Sequence, residues 1–519
     1  MRTIPTGGTG HLKFIEISAS YSVEIPDTAK SAIRARQFTR GGPYGSVYIF
    51  CSLGERLSGV IHGLAMRIRF EPAPRIQGTN KDSSRLQTVS DENWLDWNWQ
   101  MRASLKNEAD FRQHFKLTPD EVAGFQGSSG DLKLFEVRTT PYYAALALGA
   151  TMASTLGPAE GRTVSAQDPI RKILMPRREE LHRGTQAMLD PLGERLNSPA
   201  PRLVHRYPDR VLFLVTDFCS VYCRFCTRKH FTGGEASFAK NSEYEAALSY
   251  LRQATGVREV ILSGGDPLTL SDERLDRVLT DLRDIDHIEI IRIGTRMPVV
   301  CPMRVTEGLV RILKKAKPLF LMTHFNHPRE LTAEAAGALE RLVDNGIPVF
   351  NQMVLLNGVN NSAAIVAALS RRLLFLRVKP YYMFQCDPSF GTDHLRTSVE
   401  ESLEIQAELW GKLSGLAMPN LSLDIPDGGG KAGLTPNFEI EDLRTGTRET
   451  GVTRVFEGWD GVRSEYKSPP LSQAIRPADE EVYDSEWKEL CLAKKRTESP
   501  GDILRSAQKT ANDCLTDLT

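Results

Sequence analysis

The stretch Val215 to His230, V-T-D-F-C-S-V-Y-C-R-F-C-T-R-K-H, constrains this chain more than any other. Cys219, Cys223 and Cys226 fall within eight residues, directly after the apolar run Val211 to Val215, which reads as a buried strand. Thiolates are soft ligands, and three on one short loop can converge on a single iron-sulfur cluster. A four-iron cluster held by three thiolates keeps one iron open to an exogenous ligand, as an open catalytic metal site does. The competing reading is a zinc knuckle, for which His230, four residues past Cys226, is the local fourth ligand.

At 519 residues the chain has room for a large core and more than one domain. Its 65 Lys and Arg balance 65 Asp and Glu, so nothing in the totals points to nucleic acid or an anionic membrane surface as partner. The most apolar window, Ser46 to Met66, is broken by Glu55 and Arg56, and no membrane helix is expected. Cys51, Cys301, Cys386, Cys491 and Cys514 are scattered, which is no disulfide framework. A reducing compartment follows, cytoplasm or mitochondrial matrix. Between Thr28 and Phe70 there are seven Lys or Arg and one acid, Glu55, the composition of a transit peptide or of a disordered extension.

Residues 1–88 are therefore set apart as an N-terminal extension, and 89–207 as a helical region. Thr118-Pro119-Asp120-Glu121 is one of its helix starts, and helices are expected to run to about Leu189. Pro199 to Pro208 reads as a linker. From 208 to 415 strands and helices alternate. The expected strands are Val211–Asp217, Val257–Ser263, Ile288–Gly294, Leu319–His324, Ile347–Leu355 and Arg377–Gln385, with helices such as Ser271–Ile285, Thr306–Ala316 and Thr332–Gly346 between them. Six such units predict an α/β fold with parallel strands, either a TIM-like barrel or a doubly wound open sheet. Residues 416–467 form a separate segment with a short strand at Leu421–Ile425, and 468–519 a polar tail, helical or frayed.

Two further motifs carry chemistry. Ser263-Gly264-Gly265-Asp266-Pro267 follows the second strand; its glycines allow close backbone approach to a small ligand, and Asp266 offers an acceptor. Gly428-Gly429-Gly430-Lys431 could cradle a phosphate, although the full P-loop pattern is absent, or could free Lys431 to form a Schiff base with pyridoxal phosphate (PLP). Spacing alone leaves both open.

The cysteine loop, with Phe225 before its last cysteine, resembles the signature of radical S-adenosylmethionine (SAM) enzymes. With His205 to Arg210, Leu262 to Asp266, Arg292 to Arg296, Thr323 to Pro328, Tyr381 to Asp387 and the Gly-Gly-Gly-Lys431 run, the chain resembles the lysine 2,3-aminomutase family from about Trp94 to about Phe456. That resemblance implies an incomplete (β/α)6 TIM-like radical SAM barrel, with the helical region before it and a PLP-binding segment after it. It implies a 4Fe-4S cluster on Cys219, Cys223 and Cys226, SAM on the open iron, and PLP on Lys431 with Arg206 and Arg210 near its phosphate. Ser263, Gly264, Gly265 and Asp266 would receive the SAM amino group, and His324 and Gln352 the SAM or adenosine side. Arg228 would pair with the substrate carboxylate, and Asp387 and Asp424 with the distal ammonium of lysine.

The activity so implied moves the α-amino group of L-lysine to C3, giving β-lysine; arginine or ornithine is the alternative substrate. Glutamate would be repelled by the two aspartates. A flavodoxin- or ferredoxin-like electron donor and a homo-oligomer also follow from the resemblance. A degenerate cluster-binding scaffold would need a lost cysteine or lysine, and none is lost. The chain departs from the family at Asp427, where another glycine is usual. It also lacks the cysteine-rich C-terminal zinc cluster of clostridial members, with only Cys491 and Cys514 there and Ser362 in place of another ligand, so structural zinc is not expected.

Overall fold

The computed structural model of this chain describes residues 68–76, 89–129, 135–148, 166–182, 187–229, 231–233, 238–470 and 479–492, with 16–17, 47–48, 78–79, 86–87, 184 and 477. Two compact units are distinguished, Met1–Arg69 and Phe70–Thr519. In the first, Glu16–Ile17 pairs antiparallel with Val47–Tyr48. The transit-peptide expectation falls largely outside the described residues, as does His230.

The second unit is built on nine strands: β1 (Leu203–Tyr207), β2 (Arg210–Thr216), β3 (Glu259–Gly264), β4 (Ile290–Gly294), β5 (Leu319–Thr323), β6 (Val349–Leu355), β7 (Lys379–Gln385), β8 (Asn420–Ile425) and β9 (Gly430–Gly433). Each is hydrogen-bonded to its neighbour in sequence. Strands β2 to β8 run parallel, with antiparallel β1 and β9 at the edges. A doubly wound sheet would reverse its strand order at a switch point. Here the order never reverses, so the sheet curls into a nearly closed α/β barrel. The six expected strands are β2 to β7, and β8 adds a seventh parallel strand from the following segment.

Helices α1 (Asn241–Gln253), α2 (Asp272–Arg283), α3 (Glu307–Lys315), α4 (Ala333–Asp344), α5 (Ala363–Phe375) and α6 (Val399–Leu409) connect consecutive parallel strands. The Ser271 side chain caps α2, which buries Leu275, Val278, Leu279 and Leu282 at helical spacing. Thr332 does the same for α4, over Ala335, Ala338, Leu339 and Leu342. Strand β6 alternates strictly: Val349, Asn351, Met353 and Leu355 are buried, whereas Phe350, Gln352 and Val354 are half-buried. Gln352 and Val354 line the cavity inside the barrel.

Several expectations are revised. The segment read as a linker contains β1, which pairs antiparallel with β2. The helical region ends its described α-helices at Pro169–Leu174, and turns occupy 187–200. Within the 416–467 segment, a three-stranded antiparallel sheet, β10 (Thr445–Thr447), β11 (Gly451–Glu457) and β12 (Arg463–Lys467), follows β9. The tail, expected to be helical or frayed, is helical over Glu480–Leu492. Among the described residues no helix is long and apolar enough to cross a membrane.

Candidate active site

A cavity of about 650 Å³ lies inside the barrel, and every site residue expected from the sequence lines it: Cys219, Cys223, Cys226, Arg206, Arg210, Arg228, Ser263, Gly264, Gly265, Asp266, His324, Gln352, Asp387, Asp424 and Lys431. Most sit at the carboxyl ends of the parallel strands. The cysteine loop follows β2, Ser263 to Asp266 end β3, His324 follows β5 and Asp387 follows β7.

The cysteine loop is anchored from behind. Arg224, fully buried between two of the cysteines, donates from Nε to both Glu180 oxygens at 2.9 and 3.1 Å and from Nη1 to the Glu136 carbonyl at 2.9 Å. Its own N–H donates to Ile173 O at 2.9 Å, and that of Tyr222 to Arg138 O at 3.1 Å. All three thiols are free. Burial pushes the Cys219 and Cys226 thiols up, and neighbouring cysteine sulfurs push them further. Three mutually repelling sulfurs around one cavity wall fit a polynuclear cationic core, which would relieve that repulsion. Among the described residues no three His, Cys, Asp or Glu side chains gather closely enough for a single metal ion.

The glycine loop is braced against the cysteine loop. A Cβ on Gly264 would come within 2.1 Å of Thr216 O, and one on Gly265 within 2.2 Å of Phe218 O. The glycines thus serve the approach of two backbones. Asp266 is equally engaged: Oδ1 accepts from Thr295 Oγ1 at 2.6 Å and from Leu268 N at 3.0 Å, and Oδ2 from Arg296 N at 2.7 Å. With its own N–H donating to Phe218 O at 2.9 Å, Asp266 ties three loops together. Across the cavity, burial and the nearby Arg296 charge pull His324 down to about 3, and its Nε2 is buried without a partner. A neutral ring with an unmet polar atom suits a neutral heterocycle such as adenine.

At the seam of the barrel, Lys431 on β9 lies opposite Asp424 on β8. The Lys431 N–H donates to Tyr207 Oη at 3.0 Å, and Arg206 Nη2 donates to Asp424 Oδ1 at 3.2 Å, so both contacts lace edge strand β1 to the far end of the sheet. Arg210 lies over the Tyr207 ring, its guanidinium carbon 3.9 Å from the centroid. Lys431 Nζ lies 4.6 Å from the Phe384 ring centroid. A lysine amine beside two guanidinium groups and an aromatic face fits the phosphate and ring of PLP.

Asp387 stands apart from these pairs. Its Oδ1 is buried with no hydrogen-bond partner, and burial together with the Asp424 charge pushes its carboxyl up to about 7. Arg228 is already engaged: Nε donates to both Glu194 oxygens at 2.9 and 3.1 Å, Nη2 to Oε1 at 2.8 Å and Nη1 to Ser263 Oγ at 3.1 Å. Glu194 and Ser263 thereby fix the plane of the guanidinium in the cavity wall.

Tyr207, Glu194, Phe384 and Arg296 line the cavity but were not expected as site residues from the sequence. Tyr207, Phe384 and Arg296 stand inside motifs already quoted; strand alternation could have turned the first two inward, whereas Arg296 lies in the loop after β4. Glu194 stands in an irregular stretch that offered no signal.

The radical SAM superfamily model matches residues 213–368. The L-lysine 2,3-aminomutase of Acetoanaerobium sticklandii is 43% identical over 370 residues, which span 71% of this chain and 84% of that one. That of Bacillus subtilis is 41% identical over 378 residues, 73% of this chain and 76% of that one. The glutamate 2,3-aminomutase of Clostridioides difficile is 35% identical over 364 residues, 70% of this chain and 82% of that one. The family works with a 4Fe-4S cluster, SAM and PLP, and the cavity carries donor sets that fit all three. On sequence likeness over most of both lengths, the chain belongs to the lysine 2,3-aminomutase family of radical SAM enzymes.

Proposed function

We propose that this enzyme moves the α-amino group of L-lysine to C3, with Cys219, Cys223 and Cys226 as cluster ligands and Lys431 as the PLP lysine. Arg206 and Arg210 take the PLP phosphate. Ser263, Gly264, Gly265, His324 and Gln352 border the SAM side, with Asp266 holding their loops in place. When bound, the cluster and SAM supply a hydrogen-abstracting radical, and PLP supplies a π-system conjugated to the migrating nitrogen.

The chain's own residues orient the substrate. Arg228, fixed by Glu194, presents its outer edge to the carboxylate. At the other end Asp387 and Asp424 receive a cation. The observation that carries this assignment is the buried, unpartnered Asp387 Oδ1 beside the Asp424 carboxylate. An orphaned acceptor next to a second acid is costly unless a donor of positive charge arrives. Asp424 already holds an alkylammonium, that of Lys431, at 2.8 Å. With PLP held on Lys431, Asp424 would be left with Arg206 as its partner and could take a second cation, the terminal ammonium of the substrate. The apolar barrel wall keeps water from the reacting carbons.

A guanidinium would suit the same acid pair, so arginine is the second substrate to try; glutamate is opposed by it. The reading requires an external one-electron donor of the flavodoxin or ferredoxin kind. Exposed Trp459 and Val462 in the turn between β11 and β12, with exposed Tyr466 on β12, support assembly with further copies. Anaerobically reconstituted enzyme should be given lysine, arginine, ornithine and glutamate in turn. A β-amino product from lysine alone supports the proposal; turnover of glutamate and not lysine would overturn it.

A further inference from the structure

We propose that Arg296 is a positioning residue that sets the reduction potential of the cluster through Cys223. This rests on the reading of the three cysteines as cluster ligands. Arg296 Nη1 touches Cys223 Sγ at 2.7 Å. Every other nitrogen of the guanidinium is fixed: Nε donates to the His324 carbonyl at 3.2 Å, and Nη2 to Glu330 Oε1 at 2.8 Å and Tyr143 Oη at 3.1 Å. Two aromatic rings flank it, Tyr143 and Phe225, with centroids 5.3 and 5.7 Å away.

The support behind Arg296 is equally rigid. Glu330 is fully buried; its Oε2 accepts from Asn326 N at 2.6 Å and His327 N at 2.9 Å, and Tyr143 donates to its Oε1 at 2.6 Å. The Asp266 brace fixes the Arg296 backbone from the opposite side. The result is a buried ion pair whose positive end lies against a cysteine sulfur and whose negative end lies farther off. Anchoring the loop does not require a charge there, because the Arg224–Glu180 pair already does so.

Hydrogen bonds and charges at cluster sulfurs are among the determinants of the potential. A 4Fe-4S centre that gains one electron becomes more negative by one charge. A fixed cation at the sulfur stabilises that reduced form. The step is a one-electron transfer from an external reductant; no bond is made or broken, and the guanidinium neither gains nor loses a proton. Arg296 thus brings the cluster within reach of a weaker electron donor than it would otherwise need.

The test is a redox titration of the anaerobically reconstituted full-length protein, with the reduced cluster followed by electron paramagnetic resonance. Wild-type iron content is measured first. Arg296→Met should lower the reduced-to-oxidised ratio at fixed solution potential roughly tenfold, a downward shift of about 59 mV for a one-electron couple. Arg296→Lys, which keeps the charge, should restore most of it. Glu330→Gln should shift the ratio the opposite way, which loosened packing would not do. An iron-loaded Arg296→Met with an unchanged potential overturns the proposal. If that variant takes up no iron, Glu330→Gln decides: an unchanged or lowered potential is equally fatal. A wild-type protein that forms no four-iron cluster overturns the reading of the cysteines, and this inference with it.

Discussion

Asp424 and Lys431 are directly paired residues on adjacent antiparallel strands, and Lys431 Nζ donates to both carboxylate oxygens, at 2.9 and 2.8 Å. The lysine that is proposed to carry PLP is thus held by the carboxylate that is proposed to receive substrate. On that proposal both roles fall on one residue pair.

Lys431→Ala should abolish covalent PLP attachment, read as complete loss of the Schiff-base absorbance and of borohydride trapping. The Lys431 side chain is about a third exposed, so the lost ion pair should cost only about 1 kcal/mol. Retained absorbance in this variant would remove Lys431 from its role.

Asp387 gives the cofactor-free protein a signed dependence on pH. Its carboxyl holds a proton to about 7, against 3.8 for an ordinary aspartate. Between those values the folded chain keeps a proton that the unfolded chain releases, so stability falls as pH rises, by about 1.4 kcal/mol per unit. Asp387→Asn lacks this term. Measured by urea unfolding, the variant should gain about 2–3 kcal/mol on wild type between pH 5 and 8; parallel profiles would contradict the assignment.

Glu180→Ala leaves the buried Arg224 guanidinium without its partner, which should cost about 3–5 kcal/mol and lower iron uptake by the adjacent cysteines. Replacing both, Glu180→Leu with Arg224→Met, should recover much of the stability in denaturant titrations. A double variant as unstable as the single one would show that the pair does more than balance charge.

Asp427 occupies the left-handed region, at φ 59°, and donates its N–H to Pro191 O at 3.1 Å. The backbone there explains why glycine is usual at this place in the family. Asp427→Gly should be neutral or slightly stabilising in thermal melts, whereas Asp427→Val should lose about 1–2 kcal/mol.

What could be read from the sequence follows from burial. Strands β2 to β7 lie within two residues of their expected ends, because parallel strands covered by helices read as continuous apolar runs. Strand β1 was missed because Pro199, Pro201 and Pro208 crowd it, and β10 to β12 because they are exposed or only half-buried and carry no apolar period. The cavity residues were legible wherever a motif was contiguous. Their partners were not: Glu194 for Arg228, or Glu330 for Arg296, is a tertiary acquaintance that no local pattern announces. The glycines after β3 were found for an incomplete reason, since the nearest obstacle to a side chain there is the preceding loop.

The stitches between Tyr207 and Lys431, and between Arg206 and Asp424, draw the two margins of the wall together. If Lys431 carries vitamin B6 as proposed, loading it would detach the lysine side chain from Asp424 and leave both stitches in place. On that proposal the cylinder would stay fastened along its seam while the cofactor docks, because the amine that is exchanged and the bonds that close the wall belong to different atoms.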